Sequence, residues 1–268
     1  MKALRYLLAA LLALFIFTPF LWMFSTSIKP LGEVYGIPPT LLPQVFSPEN
    51  YLIAFQRSQA PRAFFVTAVY AVGCVVLYLF IAALAGYAFA RYNFAGKNLL
   101  FILVLATLMI PIEVNLLPLY RLLKGLGWLN TFPGLILPRV VEPFGVFLFR
   151  QHFQTIPDEY TDSARIDGCR ELGIFWRIML PLSVPPTIVA GLFMFLWRWN
   201  ELLWPLVIST GNRMRTIQTV ISLFVRERYV EWNFQMALCV AAILPIFVLF
   251  ISIQKYFVQG VVLSGIKA

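Results

Sequence analysis

Charge is what this chain has least of. Only 12% of its 268 residues are Asp, Glu, Lys or Arg, about half the ~25% of an ordinary soluble domain. A single histidine and three cysteines complete the shortage. The cysteines (Cys74, Cys169, Cys239) are odd in number and far apart, with no C-x-x-C among them. That supports neither a disulfide framework nor a zinc site. No G-x-x-x-x-G-K-[S/T] loop is present to cradle nucleotide phosphates. What the chain does have is apolar mass: 60% hydrophobic and 16% aromatic residues, with a mean hydropathy of +0.81. Disordered chains are poor in such residues, and a soluble fold of this composition would expose large apolar patches. The class that remains is a polytopic, all-α membrane protein.

Six stretches are apolar and long enough to cross a bilayer, near residues 7–27, 63–90, 99–119, 132–149, 184–204 and 236–254. They run too long for the ten-residue alternation of a barrel strand, so helices are expected, because only helices or closed barrels satisfy the backbone in hydrocarbon. The first stretch follows the basic start Met1-Lys2-Ala3-Leu4-Arg5 but is longer than a signal-peptide core and lacks a small-x-small cleavage site. It is expected to remain as a helix. A length of 268 residues accommodates these spans in one transmembrane domain, 1–268, and no large soluble domain besides.

The net charge of +9 does not imply a nucleic-acid partner. The basic residues sit between apolar stretches, where they meet lipid headgroups. With six spans, the two faces carry ten and nine of the 21 basic residues, Arg139 and Arg198 lying within spans. Charge alone therefore does not orient the chain.

Three connections are long: 28–62, 150–183 and 205–235. The first is proline-rich. The last carries Arg213, Arg215, Arg226, Glu227, Arg228 and Glu231, and either receives a partner or is simply solvated. The middle one mixes Asp158, Glu159, Asp162, Asp167 and Glu171 with Arg165, Arg170 and Arg177 on a helical pattern broken at Gly168. It reads either as a surface helix in the headgroups or as a docking site for a soluble partner.

Ionisable residues inside spans are the default functional suspects. Glu113, Arg139, Glu142, Arg198 and Glu201 qualify. Arg139/Glu142 and Arg198/Glu201 are each spaced i,i+3, so each pair is expected to neutralise itself on one helix face. Glu113 and Asn115 lie between Pro111 and Pro118, which would kink or unwind the helix and turn carbonyls toward a cavity. Trp199, Asn200 and Glu201 form a second polar–aromatic cluster, although Trp197, Trp199 and Trp204 read equally as an interfacial belt. These two clusters are the candidate substrate path. His152 is expected to be interfacial, and no catalytic or metal-binding set is seen.

The middle connection also carries a resemblance. Asp162-Ser163-Ala164-Arg165-Ile166-Asp167-Gly168, nine further residues, then Ile178-Met179-Leu180-Pro181 resembles the E-A-A, three residues, G, nine residues, I-x-L-P signature of inner-membrane subunits of binding-protein-dependent ABC importers. Asp162 and Ser163 replace the usual glutamate and first alanine. Met109-Ile110-Pro111, Leu117-Pro118-Leu119-Tyr120, Leu126-Gly127-Trp128-Leu129-Asn130-Thr131, Trp199-Asn200 and the C-terminal run from Val258 to Ala268 are similar to carbohydrate-uptake permeases, in the order of the second, maltose-type subunit.

The resemblance implies a type I ABC importer permease fold, with both termini and the 150–183 loop in the cytoplasm. It implies a second homologous permease subunit, a dimer of ATPase subunits that hold ATP and Mg, an extracytoplasmic solute-binding protein and a sugar-like substrate. It makes Asp162, Ser163, Ala164, Arg165, Asp167, Gly168 and Arg170 the residues that couple to the ATPases. Arg165 and Arg170 would pair with acids on that partner, and Asp167 would accept from backbone N–H groups at the next helix start. Permeases for glycerol 3-phosphate or glycerophosphodiesters look alike and remain a rival within the class. A stand-alone ion-coupled transporter is the rival from outside it, and would predict an inverted repeat.

Overall fold

Proline decides where the apolar stretches stay straight and where they break. The structure, a computed structural model, describes the backbone of residues 2–227 and 231–265, and the described residues form helices with no strand. In chain order these are α1 (Lys2–Ser27), α2 (Leu31–Val34), α3 (Glu49–Ser58), α4 (Ala60–Arg91), α5 (Lys97–Ala106), α6 (Ile112–Gly125), α7 (Phe132–Ile136) and α8 (Pro143–Thr155). There follow α9 (Glu159–Ile166), α10 (Glu171–Ile174), α11 (Leu180–Leu182), α12 (Val184–Trp199), α13 (Leu203–Ile208), α14 (Ile217–Glu227) and α15 (Trp232–Gly265). Arg228 of the outer connection, Lys267 and the last residues of the C-terminal run lie outside the described residues, as do the side chains of Arg226 and Glu227.

Three helices are long and apolar enough to span alone: Ala3–Ser27, Ala60–Arg91 and Trp232–Gln254. Pro19 and Pro245 sit inside the first and last without breaking them. The other three expected spans are bent pairs. Lys97–Met109 meets Ile112–Gly125 at 96°, Phe132–Arg139 meets Pro143–Thr155 at 48°, and Glu171–Leu182 meets Val184–Trp199 at 80°. Counting each pair as one gives six crossings.

The first bend has a local cause. Pro111 pushes the residue before it out of helical geometry, and Ile110 is extended at φ −89, ψ 111. Pro143 does the same to Glu142, at φ −129, ψ 121, and then opens α8. Pro118, expected to help unwind its helix, instead sits inside α6. The fifth crossing ends its helix at Trp199 rather than continuing to 204, and Trp204 belongs to the separate α13.

The chain forms two compact units. One comprises the chain up to Phe65 and Thr216–Phe250. Its core packs Ala54, Ala60 and Ala63 with Ile217, Phe224, Phe234 and Leu238. A buried Asn50 ties this unit's first connection, donating to the carbonyls of Ser27 at 3.0 Å and Lys29 at 2.8 Å and accepting from Asn233 at 3.1 Å.

The other unit comprises Val66–Arg215 and the chain from Ile251. Tyr78, Phe149, Phe153, Phe175, Met194 and Trp204 fill its core. Glycines let its helices touch. A Cβ on Gly86 of α4 would stand 2.6 Å from the Phe149 Cβ of α8, so only glycine permits that approach.

Candidate functional site

Two polar systems occupy the second unit. The first is the helix–turn–helix of residues 159–182. Helix α9 starts after Asp158, whose carbonyl receives the Thr161 hydroxyl at 2.8 Å and whose carboxylate receives Arg91 from the end of α4. Arg91 also donates to the Ile156 carbonyl at 2.5 Å. The helix stops in a Schellman turn: Gly168 N–H bonds the Arg165 carbonyl at 3.0 Å and Cys169 N–H the Ala164 carbonyl at 2.9 Å. That motif needs a left-handed residue after the cap, and Gly168 stands at φ +80.

Two expectations for this loop change. Asp167 is the C-cap of α9 rather than a cap for the next helix, which begins after Arg170 without a side-chain cap bond. Arg165 is held within the chain. It donates to Asp162 at 2.8 Å and to Glu171 at 2.8 Å across the turn, and the bond to Glu171 leads in raising its pKa above the ordinary arginine value. Glu171 also accepts from the hydroxyls of Tyr92 at 2.9 Å and Tyr87 at 3.2 Å. The turn is thus clamped to the end of α4.

Asp162, Ser163, Asp167, Gly168 and Arg170 remain exposed, while Ala164 is buried in the unit's own core. Beside them Ile166 is 87% and Leu172 68% exposed. A rigid turn with bare apolar tips and unspent charges is suited to gripping another protein. His152 lies at the end of α8 with its Nε2 3.1 Å from the Leu182 carbonyl, a contact near the 80° bend rather than a catalytic one.

The second system is a charge quartet where spans are interrupted. Arg139 and Glu142 flank the 48° bend, and Arg198 and Glu201 bracket the end of α12. Arg198 and Glu201 pair as expected, at 2.6 Å. Arg139 does not turn to Glu142. It pairs with Glu201 at 2.7 Å, and Glu142 pairs with Arg198 at 2.5 Å. Tyr70 of α4 donates to Glu201 as well. Two cations and two anions therefore form a neutral chain that ties the end of the fifth span to the fourth. Breaking a buried charge pair costs far more than making it gains, which makes the quartet a strong positional constraint on the break at 200–202.

The two expected substrate-path clusters sit on different segments, one at the start of α6 and one at the end of α12. Glu201 is the centre of the quartet. Trp199 is buried, stacked on Phe195 at 5.3 Å, and Asn200 is exposed with its amide on the Leu196 carbonyl at 2.9 Å. Glu113 and Asn115 are exposed on the first turn of α6, directly after the 96° bend.

Tyr70, Cys74 and Tyr78 were not singled out from the sequence. They are buried on one side of α4, Tyr70 on the quartet and Cys74 with its thiol 3.7 Å from the Ile136 carbonyl. Their i, i+4, i+8 spacing was the available signal.

Comparison with known proteins follows the same line. The pattern of the family described as "binding-protein-dependent transport system inner membrane component" matches residues 79–263. The arabinooligosaccharides transport system permease protein AraQ of Bacillus subtilis (strain 168) is 36% identical over 98% of this chain and 93% of its own. The lactose transport system permease protein LacG of Rhizobium radiobacter is 30% identical over 97% and 93%. The sn-glycerol-3-phosphate transport system permease protein UgpE of Rhizobium meliloti (strain 1021) is 32% identical over 91% and 90%. A chain from the crystal structure of a bacterial ABC transporter involved in the import of the acidic polysaccharide alginate shares the fold, with a TM-score of 0.84 over 96% of both chains at 22% identity.

Proposed function

The chain belongs to the inner membrane components of binding-protein-dependent transport systems, and from that premise we propose that it is one permease subunit of an ATP-driven sugar importer. It works with a second homologous permease subunit and receives solute from an extracytoplasmic binding protein. ATP and Mg are held by a dimer of cytoplasmic ATPase subunits, where hydrolysis occurs. Both termini and residues 150–183 face the cytoplasm, and the whole chain serves as one permease domain.

The observation that carries this reading is the clamped turn at 165–171, rigid in its backbone and bare at Ile166 and Leu172. Asp162, Ser163, Asp167, Gly168 and Arg170 line the docking face, with Ala164 anchoring it and Arg165 holding its shape. When the ATPase cleft closes on this face, the motion passes into Glu171–Leu182 and through the 80° bend at Ser183 into α12. At the far end of α12 the quartet relays it to the break at 200–202. Solute meets the interrupted backbone near Glu113 and Asn115 and near Trp199, Asn200 and Glu201, where the breaks in the helices free backbone polar groups.

A sugar is favoured over glycerol 3-phosphate by the quartet itself. Arg139 and Arg198 are both paired with glutamates, so the quartet offers no net positive charge to a phosphate. The test is reconstitution in proteoliposomes with ATPase and binding-protein partners, with hydrolysis and uptake measured for neutral oligosaccharides and for glycerol 3-phosphate. Sugar-stimulated hydrolysis is expected. Uptake by this chain alone would overturn the reading in favour of an ion-coupled carrier.

A further inference from the structure

Neither the coupling turn nor the quartet uses a cleft in the first unit, at the last turn of α1 and the first turn of α15. Its volume is about 400 Å³, and Trp22, Thr26, Lys29, Glu33, Tyr35 and Trp232 contribute to its lining. That volume is within the range of small-molecule sites, which are largely apolar with a few placed polar groups.

The polar groups are buried but not used up. Lys29 is 2% exposed and Thr26 5%. The Lys29 ammonium donates to the Thr40 carbonyl and lies 5.2 Å from the centre of the Trp22 ring. An ammonium has three donors, so two are left for a ligand. Thr26 lines the cleft beside Lys29, so its hydroxyl is placed to exchange a hydrogen bond with a ligand oxygen.

Charge selects the class of ligand. Glu33 accepts from Thr40 at 3.0 Å and from the backbone N–H groups of Gln44 at 2.9 Å and Val45 at 3.3 Å, so it is ionised and offsets Lys29. The lining has no net charge with which to hold a phosphate headgroup. It presents two indoles and a phenol, flat faces suited to the C–H face of a pyranose or furanose ring. Trp22 and Trp232 at span ends also fit an interfacial belt, but a belt does not require a buried ammonium such as that of Lys29.

We propose that this cleft is a binding subsite for a neutral saccharide, distinct from the quartet and from the two clusters of the substrate path. It rests on the sugar-import reading and adds a place where sugar meets this subunit outside the interrupted spans.

The test uses the full chain in phosphatidylcholine nanodiscs, without the binding protein, and radiolabelled lactose and arabinotriose as probes. Saturable binding of at least one probe is expected, with Kd raised at least tenfold in Trp232→Ala and about fivefold in Thr26→Val. Trp232→Phe, which keeps an aromatic face, stays within about threefold and shows that the fold is intact. Absence of saturable binding, or binding that Trp232→Ala and Thr26→Val leave unchanged, overturns the proposal. So does loss of probe binding when phosphatidylglycerol replaces phosphatidylcholine, which identifies a lipid as the occupant. Sugar uptake by the assembled importer reports separately on the transport reading. Uptake without binding at the cleft removes the subsite alone, and uptake of glycerol 3-phosphate in place of sugar removes the reading.

Discussion

Arg198 donates to Glu142 at 2.5 Å, across 56 positions of sequence, while its near neighbour Glu201 is shared between it and Arg139. Each glutamate and each arginine thus depends on a partner from another segment. Arg198→Met leaves Glu142 without its cation and removes one of Glu201's two, and is expected to cost about 3–5 kcal/mol. Adding Glu142→Gln should recover more than half, since Arg139 and Glu201 then remain as a neutral pair. Denaturant unfolding in detergent micelles, run as a double-mutant cycle, reads both; strictly additive losses would show the pairing to be energetically idle.

A methyl group should separate α4 from α8. Gly86→Ala places its Cβ 2.6 Å from the Phe149 Cβ and 2.9 Å from the Arg150 nitrogen, neither of which can swing away. The expected cost is about 1–3 kcal/mol, measured as a lowered Tm against wild type in the same detergent.

At the turn after α9 the backbone is strained for any residue but glycine, while space is open. Nothing lies within 4 Å of a Cβ on Gly168, which sits at φ +80. Gly168→Ala should therefore act through the left-handed backbone alone, at about 1–2 kcal/mol, and Gly168→Asn should be milder. Gly168→Pro, unable to adopt positive φ, is expected to insert normally and to uncouple ATP hydrolysis from uptake. Wild-type uptake by the proline variant would remove this turn from the coupling path.

The first connection should loosen in acid. Hydrogen bonding from the Gln44 backbone leads in holding Glu33 below its ordinary pKa of 4.5. A lowered folded-state pKa gives stability that is complete above the ordinary value and is lost as pH falls through the folded one. Protection factors at Gln44 and Val45, corrected for intrinsic exchange, should be flat from pH 8 to pH 5 and fall below about pH 4.5. In Glu33→Gln the same amides should be less protected and insensitive to pH.

How much of this was legible depended on whether neighbours in sequence are neighbours in space. The straight spans were, because twenty apolar residues need no partner to declare themselves. Gly168 was too, since a glycine between two short charged helices has few other uses. The quartet misled: i,i+3 spacing is right for Arg198 and Glu201, but Glu142 is itself the extended residue before Pro143, so helical spacing from Arg139 no longer applies. Proline itself was ambiguous. Pro111 breaks its span and Pro118 seven residues later does not, a difference that residue spacing does not encode.

Helix α1 is exposed from Ala3 to Trp22, and its burial begins only at residues 25–29. It is therefore a lever fixed at one end, and that end forms the floor of the cleft at Thr26 and Lys29. Hydrophobic helices tilt to match the thickness of the hydrocarbon around them. A change in bilayer thickness is therefore expected to act on the exposed arm first and to reach the cleft through Trp22, which lines it just before the buried residues 25–29.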